Sequence, residues 1–214
     1  MKVQQRDHMI TFSAIVLLLT GCSGQDALRE LPRGERAPEL LLQLGHRRLP
    51  NRLAVSPDGR QLATGSRGNT VILWDVATGR QLGTFGDLDT EARGENYIFS
   101  LAFSPDGRHL LIGDMGEVQV WDKMAGSPIF KLDVKHYLNA GVFSPDGRLI
   151  ALAGGAGANY GNPGYMTYGR VSLYDASTGR WIRTLGDFSE DVFSVAFSPD
   201  SKRILAVAGD GSAS

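Results

Sequence analysis

The sequence predicts an all-β protein built from repeated antiparallel sheets of four short strands. Two phrases predict this fold: a Ser-Pro-Asp turn that recurs four times, and an apolar strand closed by an aromatic residue and Asp that recurs in step with it. Pro presets φ for a turn, Asp bonds to nearby backbone, and Gly accepts positive φ, so each first phrase predicts a hairpin turn. The four copies are Ser56-Pro57-Asp58-Gly59, Ser104-Pro105-Asp106-Gly107, Ser144-Pro145-Asp146-Gly147 and Ser198-Pro199-Asp200-Ser201.

The spacing of the turns is that of one four-stranded unit. Their serines lie 48 (56 to 104), 40 (104 to 144) and 54 (144 to 198) residues apart, close to the roughly 40–45 residues of one propeller blade plus loop insertions. The second phrase keeps the same phase as Trp74-Asp75, Trp121-Asp122 and Tyr174-Asp175. On these two phrases the chain resembles the WD-repeat family of β-propellers over about residues 39–210. The resemblance implies a WD-repeat-like β-propeller with about three and a half blades, which is an incomplete ring.

The apolar runs between the turns predict the strands of each blade. A first strand is expected at about 39–44, and two strands in a fourth blade around its Ser-Pro-Asp turn. The strands of the other blades are expected near 51–55, 61–66, 70–74 and 80–85, then 97–103, 109–112, 117–121 and 128–132, then 139–143, 148–153, 169–174 and 181–185. Because Asp75, Asp122 and Asp175 recur with the blades, we expect them to bond turn backbone, and Trp74 and Trp121 to pack in the core.

The chain also departs from the family pattern. Only Gly45-His46 resembles the family's Gly-His pair, because Gly86-Asp87 and Gly186-Asp187 stand at the equivalent places. Tyr174 stands where Trp is usual. These departures place in doubt the His-to-Trp hydrogen-bond network that stiffens many blades of the family.

The N-terminus has the layout of an export signal. Lys2 and Arg6 precede an apolar run of 11 residues at 9–19, which is too short to span a bilayer permanently. Leu19-Thr20-Gly21-Cys22 resembles the lipobox of bacterial lipoproteins, which implies cleavage before Cys22 and its lipidation. We therefore expect a signal peptide at 1–21, the lipidated Cys and a tether at 22–38, and the partial propeller at 39–214.

The expected location is the bacterial cell envelope. Acyl chains on Cys22 would favour membrane binding by about 0.8 kcal/mol of free energy per buried CH₂. They therefore hold a protein on a membrane without a transmembrane helix. Ser23 after the Cys is similar to the signal for outer-membrane sorting in Gram-negative cells; in a Gram-positive cell the location is the cell surface. Cys22 is the sole cysteine, so no internal disulfide is expected.

Closed propellers typically need about 4–8 blades, because each sheet buries its faces against two neighbours. An incomplete ring therefore leaves apolar sheet faces exposed to solvent. Three explanations stay open: the sequence is part of a longer protein, two chains complete one another by self-association through the open ends, or a partner caps the arc.

Composition excludes several function classes. The formal net charge of -1 does not predict the basic surface that binding of nucleic acid requires. His46, His109 and His136 lie in different blades, and no second Cys or nucleophile-elbow Ser exists, so we expect no catalytic set, no cofactor and no metal. Asp87, Asp89, Glu91 and Glu95 lack the central Gly and terminal Glu of a Ca²⁺ loop and favour a solvated acidic loop.

Two insertions mark the candidate binding face. In a four-stranded antiparallel blade the turns alternate between ends, so the insertions at 86–96 and 154–168 share the face opposite the Ser-Pro-Asp-Gly turns. Tyr residues supply contact area at low entropy cost. The candidate partner-binding residues are Tyr160, Tyr165, Met166, Tyr168, Asp87, Asp89 and Glu91. A second group, Arg47, Arg48, Arg52 and Arg67, either faces anionic lipid or an acidic partner, or is simply solvated.

The sequence thus predicts a lipid-anchored, non-enzymatic platform for an unknown protein partner, with its membrane contact through Cys22. The alternatives are the N-terminal part of a propeller enzyme or cofactor-binding protein whose active site lies in further C-terminal blades, and a truncated remnant.

Overall fold

The computed structural model describes residues 46, 49–67, 70–86, 97–114, 117–132, 134, 137–155 and 169–211. Within these ranges the chain forms fourteen β-strands, and no helix there is long and apolar enough to cross a membrane. The strands are β1 (Pro50–Val55), β2 (Gln61–Ser66), β3 (Val71–Asp75), β4 (Gln81–Phe85), β5 (Ser100–Phe103), β6 (His109–Gly113), β7 (Val118–Asp122), β8 (Ser127–Leu132), β9 (Tyr137–Phe143), β10 (Leu149–Gly155), β11 (Gly169–Asp175), β12 (Trp181–Phe188), β13 (Val192–Phe197) and β14 (Ile204–Ala208).

The strands form successive antiparallel sheets. Sheet one has the order β1-β2-β3-β4, sheet two β5-β6-β7-β8, sheet three β9-β10-β11-β12, and sheet four β13-β14. The all-β, blade-by-blade prediction is confirmed, and the ring formed by the described sheets is not closed. The expected strand at 39–44 lies outside the described residues, as do the leader and Cys22.

Two predicted boundaries are wrong by three residues: β12 ends at Phe188 rather than near 185, and β5 begins at Ser100 rather than near 97. The Ile98 carbonyl accepts a hydrogen bond from Asn51 Nδ2 at 2.8 Å, and the Phe99 carbonyl accepts one from Arg52 Nε at 2.8 Å. These backbone groups bond to sheet one, so residues 97–99 join sheet two to its neighbour rather than extending β5.

Each sheet packs its apolar residues against the next sheet. Ala63, Val71, Leu73 and Phe85 of sheet one belong to one buried cluster with Leu110 of sheet two. Equivalent clusters join sheets two and three, and sheets three and four. The first strands β1, β5, β9 and β13 also contact one another in sequence. The core therefore lies between the sheets, as expected for propeller blades.

The Ser-Pro-Asp-Gly turns share one hydrogen-bond pattern. In sheet three the Ser144 hydroxyl donates to Asp146 Oδ1 at 2.6 Å and accepts the Leu149 N–H at 2.9 Å. Asp146 Oδ1 also accepts the Arg148 N–H at 3.1 Å. The same bonds recur from Ser56, Ser104 and Ser198. The sequence predicted the role of Asp in these turns but missed that of Ser.

The fourth position of these turns requires positive φ. Gly59, Gly107 and Gly147 have φ of 69°, 68° and 72°, and Ser201 has 60°. A side chain is costly in this region. Ser201 Oγ, however, accepts the Asp146 N–H at 3.0 Å, which links the turns of sheets three and four.

The Asp of each second phrase bonds its turn, as predicted. Asp75 Oδ1 accepts the Thr78 N–H at 2.8 Å, Asp122 Oδ1 that of Ala125 at 2.8 Å, and Asp175 Oδ1 that of Thr178 at 2.8 Å. Trp74 is buried, and Trp121 packs edge-on against Phe85 with ring centroids 5.9 Å apart, so the predicted packing role is also confirmed.

Both kinds of turn lie at the same end of the sheets. The residue that follows each Asp donates its N–H to the carbonyl of the Arg that follows the Ser-Pro-Asp-Gly turn in the same sheet. The three pairs are Val76 and Arg60, Lys123 and Arg108, and Ala176 and Arg148, at 2.9, 3.0 and 2.9 Å. We name this the turn end, and the opposite end, where the two insertions leave the sheets, the loop end.

Candidate binding face

The loop end carries the stems of both insertions. The first leaves after β4 at Phe85 and Gly86 and returns at Tyr97. The second leaves after Gly155 and returns at Gly169, which face each other in the β10–β11 ladder. The candidate residues Tyr160, Tyr165, Met166, Tyr168, Asp87, Asp89 and Glu91 lie outside the described residues, so their roles stay predictions.

The return of the first insertion is attached to sheet one by two arginines. The Arg67 guanidinium lies 4.5 Å from the centroid of the Tyr97 ring, which is a cation–π contact. The Tyr97 and Phe99 rings lie 6.0 Å apart. Arg52 Nη1 donates to the Asn51 carbonyl at 2.9 Å, beside its Nε bond to Phe99. Burial lowers the pKa of Arg52, but a guanidinium stays charged at neutral pH.

The structure therefore shows two of the four arginines of the predicted basic group close to the same segment. Arg52 and Arg67 both contact residues 97–99, and Arg47 and Arg48 lie outside the described residues. The structure gives these two arginines a positioning role: they fix the segment that follows the acidic insertion.

The stem of the second insertion is closed by the β12–β13 turn. A Cβ at Gly155 would lie 1.5 Å from Asp191 Oδ1, and one at Gly169 would lie 2.0 Å from the Glu190 carbonyl oxygen. Only glycine permits this close approach. The Ser189 hydroxyl donates to Asp210 Oδ2 at 2.5 Å, and Asn139 Nδ2 donates to the Val192 carbonyl at 3.1 Å. Contacts with residues 190–192 thus hold the stem, which is part of sheet three, against the start of sheet four.

The β12–β13 turn and its surroundings bring acidic residues to the loop end that were not predicted from the sequence. Glu190, Asp191 and Asp210 lie beside the stem, and Asp191 Oδ1 is buried without a hydrogen-bond partner. The Ser189-Glu190-Asp191 run after the predicted strand at 181–185 is the signal that could have found them. Among the described residues, no three His, Cys, Asp or Glu side chains lie close enough to hold a metal ion.

Of the described histidines, His46 takes part in a hydrogen-bond network of sheet one. His46 Nε2 lies 2.7 Å from Thr64 Oγ1, which also accepts the Trp74 Nε1–H at 2.7 Å. Burial is the main cause that lowers the pKa of His46. The expectation that the His-to-Trp network is in doubt is therefore wrong for sheet one. At the position of Thr64, sheets two and three carry Ile112 and Leu152, which have no hydroxyl to link a Trp or Tyr.

Comparison with known proteins identifies the repeats. The repeat described as WD domain, G-beta repeat matches residues 39–75, 86–122 and 179–214, together just over half of the chain. The part of sheet three with the second insertion lies outside these matches.

Several characterised proteins are similar to the chain. The meiotic recombination protein rec14 of Schizosaccharomyces pombe is 29% identical over 196 residues, which is 90% of this chain and 59% of rec14. The WD repeat-containing protein 26 homolog of Drosophila melanogaster is 33% identical over 157 residues, 71% of this chain and 22% of that protein. The small ribosomal subunit protein RACK1 of Medicago sativa is 32% identical over 100 residues, 46% of this chain and 29% of RACK1.

The chain thus spans about three fifths or less of the length of these relatives. Four observations point to the same family: the sheet order, the two recurring turns, the His46–Thr64–Trp74 network and the repeat matches. The chain belongs to the WD40 repeat family, WD domain, G-beta repeat.

Proposed function

We propose that this protein is a lipid-anchored, non-enzymatic platform that binds a protein partner at the bacterial cell envelope through its loop end. Cys22 carries the lipid, residues 23–38 form the tether, and the WD40 sheets present the binding face. The mechanism is contact rather than chemistry. The observation that carries the proposal is that both insertions leave the same end of rigid sheets, from stems that neighbouring sheets hold in place.

The composition of the loop end suits protein recognition. Arg and Tyr, which are enriched in the energetic centres of interfaces, lie in contact there as Arg67 and Tyr97. The second insertion adds Tyr160, Tyr165 and Tyr168 to this set. RACK1 is, by its name, a protein of the small ribosomal subunit, and we extend function by macromolecular contact to this chain.

The loop end also suggests the chemistry of the partner. Asp87, Asp89 and Glu91 lie in the first insertion, and Glu190 and Asp210 lie beside the second stem. Complementary charge across an interface favours encounter and specificity. The partner we propose therefore contacts this face with basic and apolar side chains.

Capture from envelope extracts tests the binding face. A chain with Tyr160→Ala, Tyr165→Ala and Tyr168→Ala should retain about one tenth or less of the bound partner, since a truncated interface tyrosine often costs more than about 1 kcal/mol. The matched control, Val76→Ala with Met124→Ala, removes exposed apolar groups of the turn end and should leave capture unchanged. Equal capture by both variants would contradict the proposal.

Fractionation and metabolic labelling test the anchor separately. The wild-type chain should incorporate an alkyne-labelled fatty acid and sediment with membranes. Cys22→Ser should abolish the label and the membrane association while the sheets still fold. A soluble, unlabelled wild-type chain would contradict the anchor but not the binding face.

A further inference from the structure

The last strands of the first three sheets form an outer rim. The first strands β1, β5 and β9 contact one another, so β4, β8 and β12 lie at the far edges of their sheets. Where β12 leaves the turn end, Trp181 is 58% exposed and Ile182 is 44% exposed. All three tryptophans of the chain lie in the described residues, and Trp74 is buried while Trp121 packs on Phe85. Trp181 therefore differs from both in facing solvent.

The exposure of Trp181 and Ile182 belongs to the rim itself. Trp181 pairs with Tyr174, which packs in the cluster between sheets two and three, so Trp181 lies on the face of sheet three that sheet two covers. The equivalent residues of sheet two are Pro128 and Ile129. Both are exposed, although sheet two has a complete sheet on each side. A neighbouring sheet therefore does not cover this part of the rim.

This part of the rim offers side chains rather than backbone groups. The β11–β12 ladder shifts between the pairs Tyr174–Trp181 and Leu173–Arg183, so Ile182 occupies a bulge. A bulge interrupts the row of edge hydrogen bonds and opposes the addition of a further strand. Apolar and charged side chains are therefore the groups that contact a partner here.

Basic residues surround Trp181. The Ala176 N–H donates to the Arg148 carbonyl at 2.9 Å, which joins the two turns of sheet three. Ser201 Oγ joins the turn of sheet four to them by accepting the Asp146 N–H at 3.0 Å. Among the described residues, no ion pair involves the exposed cations of these turns and β12, which are Arg148, Arg180, Arg183, Lys202 and Arg203. The same turns contain three carboxylates, so cations are in excess: Asp146, Asp175 and Asp200.

The opposite end of sheets three and four is acidic. Glu190, Asp191 and Asp210 lie beside the stem of the second insertion, and Arg170 is exposed at this end as well. These two sheets thus carry an excess of cations at the turn end and of carboxylates at the loop end. A negatively charged surface attracts the turn end and repels the loop end.

We propose that the sheet-three corner, formed by Arg180, Trp181 and Ile182 with the cations around them, contacts an anionic lipid surface. This inference rests on the proposed place of the chain at a membrane. Aromatic and aliphatic side chains enter the boundary between headgroups and acyl chains, and arginines attract anionic headgroups. In this orientation the loop end points away from the lipid and stays accessible to a protein partner. Sheets one and two have Gln81 and Pro128 in place of Trp181, so the corner is specific to sheet three.

Fluorescence quenching by brominated lipid tests the contact. The full 214-residue chain with Cys22→Ser is mixed with vesicles of brominated phosphatidylcholine and phosphatidylglycerol in equal parts, so lipidation of Cys22 plays no part. Bromine quenches a tryptophan that reaches the acyl chains, and the apolar run at 9–19 contains no tryptophan. The emission of Trp181 should be quenched and should shift to shorter wavelength. Trp181→Phe should leave only the unquenched emission of Trp74 and Trp121.

Two pairs of variants assign the quenching to this corner. Arg180→Ser should reduce the quenched fraction by up to about fivefold, because one guanidinium near anionic lipid contributes about that factor to binding. Its control Arg80→Ser changes the equivalent residue of sheet one, which precedes Gln81, and should leave quenching unchanged. Ile182→Ser should also reduce quenching, whereas Leu82→Ser, at the equivalent 51% exposed position of sheet one, should not.

Three results overturn the inference. The first is a Trp181 that the anionic vesicles do not quench, as expected if the corner binds an acidic protein instead. The second is equal quenching by vesicles with and without phosphatidylglycerol, and the third is an equal effect of the sheet-one and sheet-three variants. Fatty-acid labelling of Cys22 and capture by the loop end are measured independently, so failure of this contact is distinguishable from failure of the proposed function.

Discussion

The two ends of the sheets are built in different ways. At the turn end the same short phrases satisfy their own hydrogen bonds in every sheet: Ser144 and Asp146 bond to each other and to backbone within five residues. At the loop end each stem is held by groups distant in sequence, such as Asn51 on Ile98 and Glu190 against Gly169. The turn end is therefore a repeated local structure, whereas the loop end differs from sheet to sheet, and it is this end that we propose for recognition.

The largest expected effect is at the loop end. Gly169→Ala places a methyl group 2.0 Å from the Glu190 carbonyl oxygen, and overpacking against backbone should lower the free energy of unfolding by about 3 kcal/mol. Urea unfolding of both chains measures this change. The control Gly83→Ala has its nearest neighbour at 3.8 Å and should be neutral. Equal stability of the two variants would show that the β12–β13 turn does not clamp this stem.

At the turn end, Ser144→Ala should cost about 2 kcal/mol, because Ser144 is fully buried and its loss leaves the Leu149 N–H without its partner. Ser198→Ala should cost less, because Ser198 is only partly buried. The exposed Ser127→Ala should not change stability. Thermal unfolding of the three variants measures this order, and a larger loss for Ser198→Ala would contradict the local account of these turns.

An intermediate effect is expected for the network of sheet one. Thr64→Val removes the hydroxyl that accepts the Trp74 N–H and contacts His46, and it should cost about 1–2 kcal/mol. The exposed Thr84→Val should be nearly neutral, which chemical unfolding can check. A neutral Thr64→Val would show that the network adds nothing to the stability of this sheet.

The smallest effect is acid sensitivity, which belongs to the turn end. Hydrogen bonds from Ser177 and Thr178 lower the pKa of Asp175 to about 2, and one from Ser56 lowers the pKa of Asp58 below the ordinary 3.8. A carboxyl whose folded pKa is depressed stabilises the fold above its unfolded pKa and loses that contribution as pH falls through the folded value.

The melting temperature should therefore drop between about pH 4 and pH 2, where these carboxylates take up protons. Asp175→Asn should be less stable than wild type at pH 7, and the gap between the two should narrow at pH 2. A gap that widens on acidification would contradict the assigned direction of the pKa shift.

The sequence predicts the turn end well because its determinants are local. Pro, Asp and Gly at fixed positions specify the turns, and apolar runs specify the strands, so the sheet order follows. The loop end depends on contacts across about 50 residues, such as Asn51 to Ile98 and Asn139 to Val192, which no local pattern reveals. The network of His46 was missed for the same reason, since it requires the Thr64 hydroxyl to face Trp74 across the sheet.

Photo-crosslinking in cells tests the central claim, that recognition belongs to the loop end, most directly. A photoreactive amino acid is placed either at Tyr165 in the second insertion or at Met124 in the turn end, which is 87% exposed. The account predicts a discrete protein adduct from position 165 and none from position 124. An adduct from position 124 alone would contradict it.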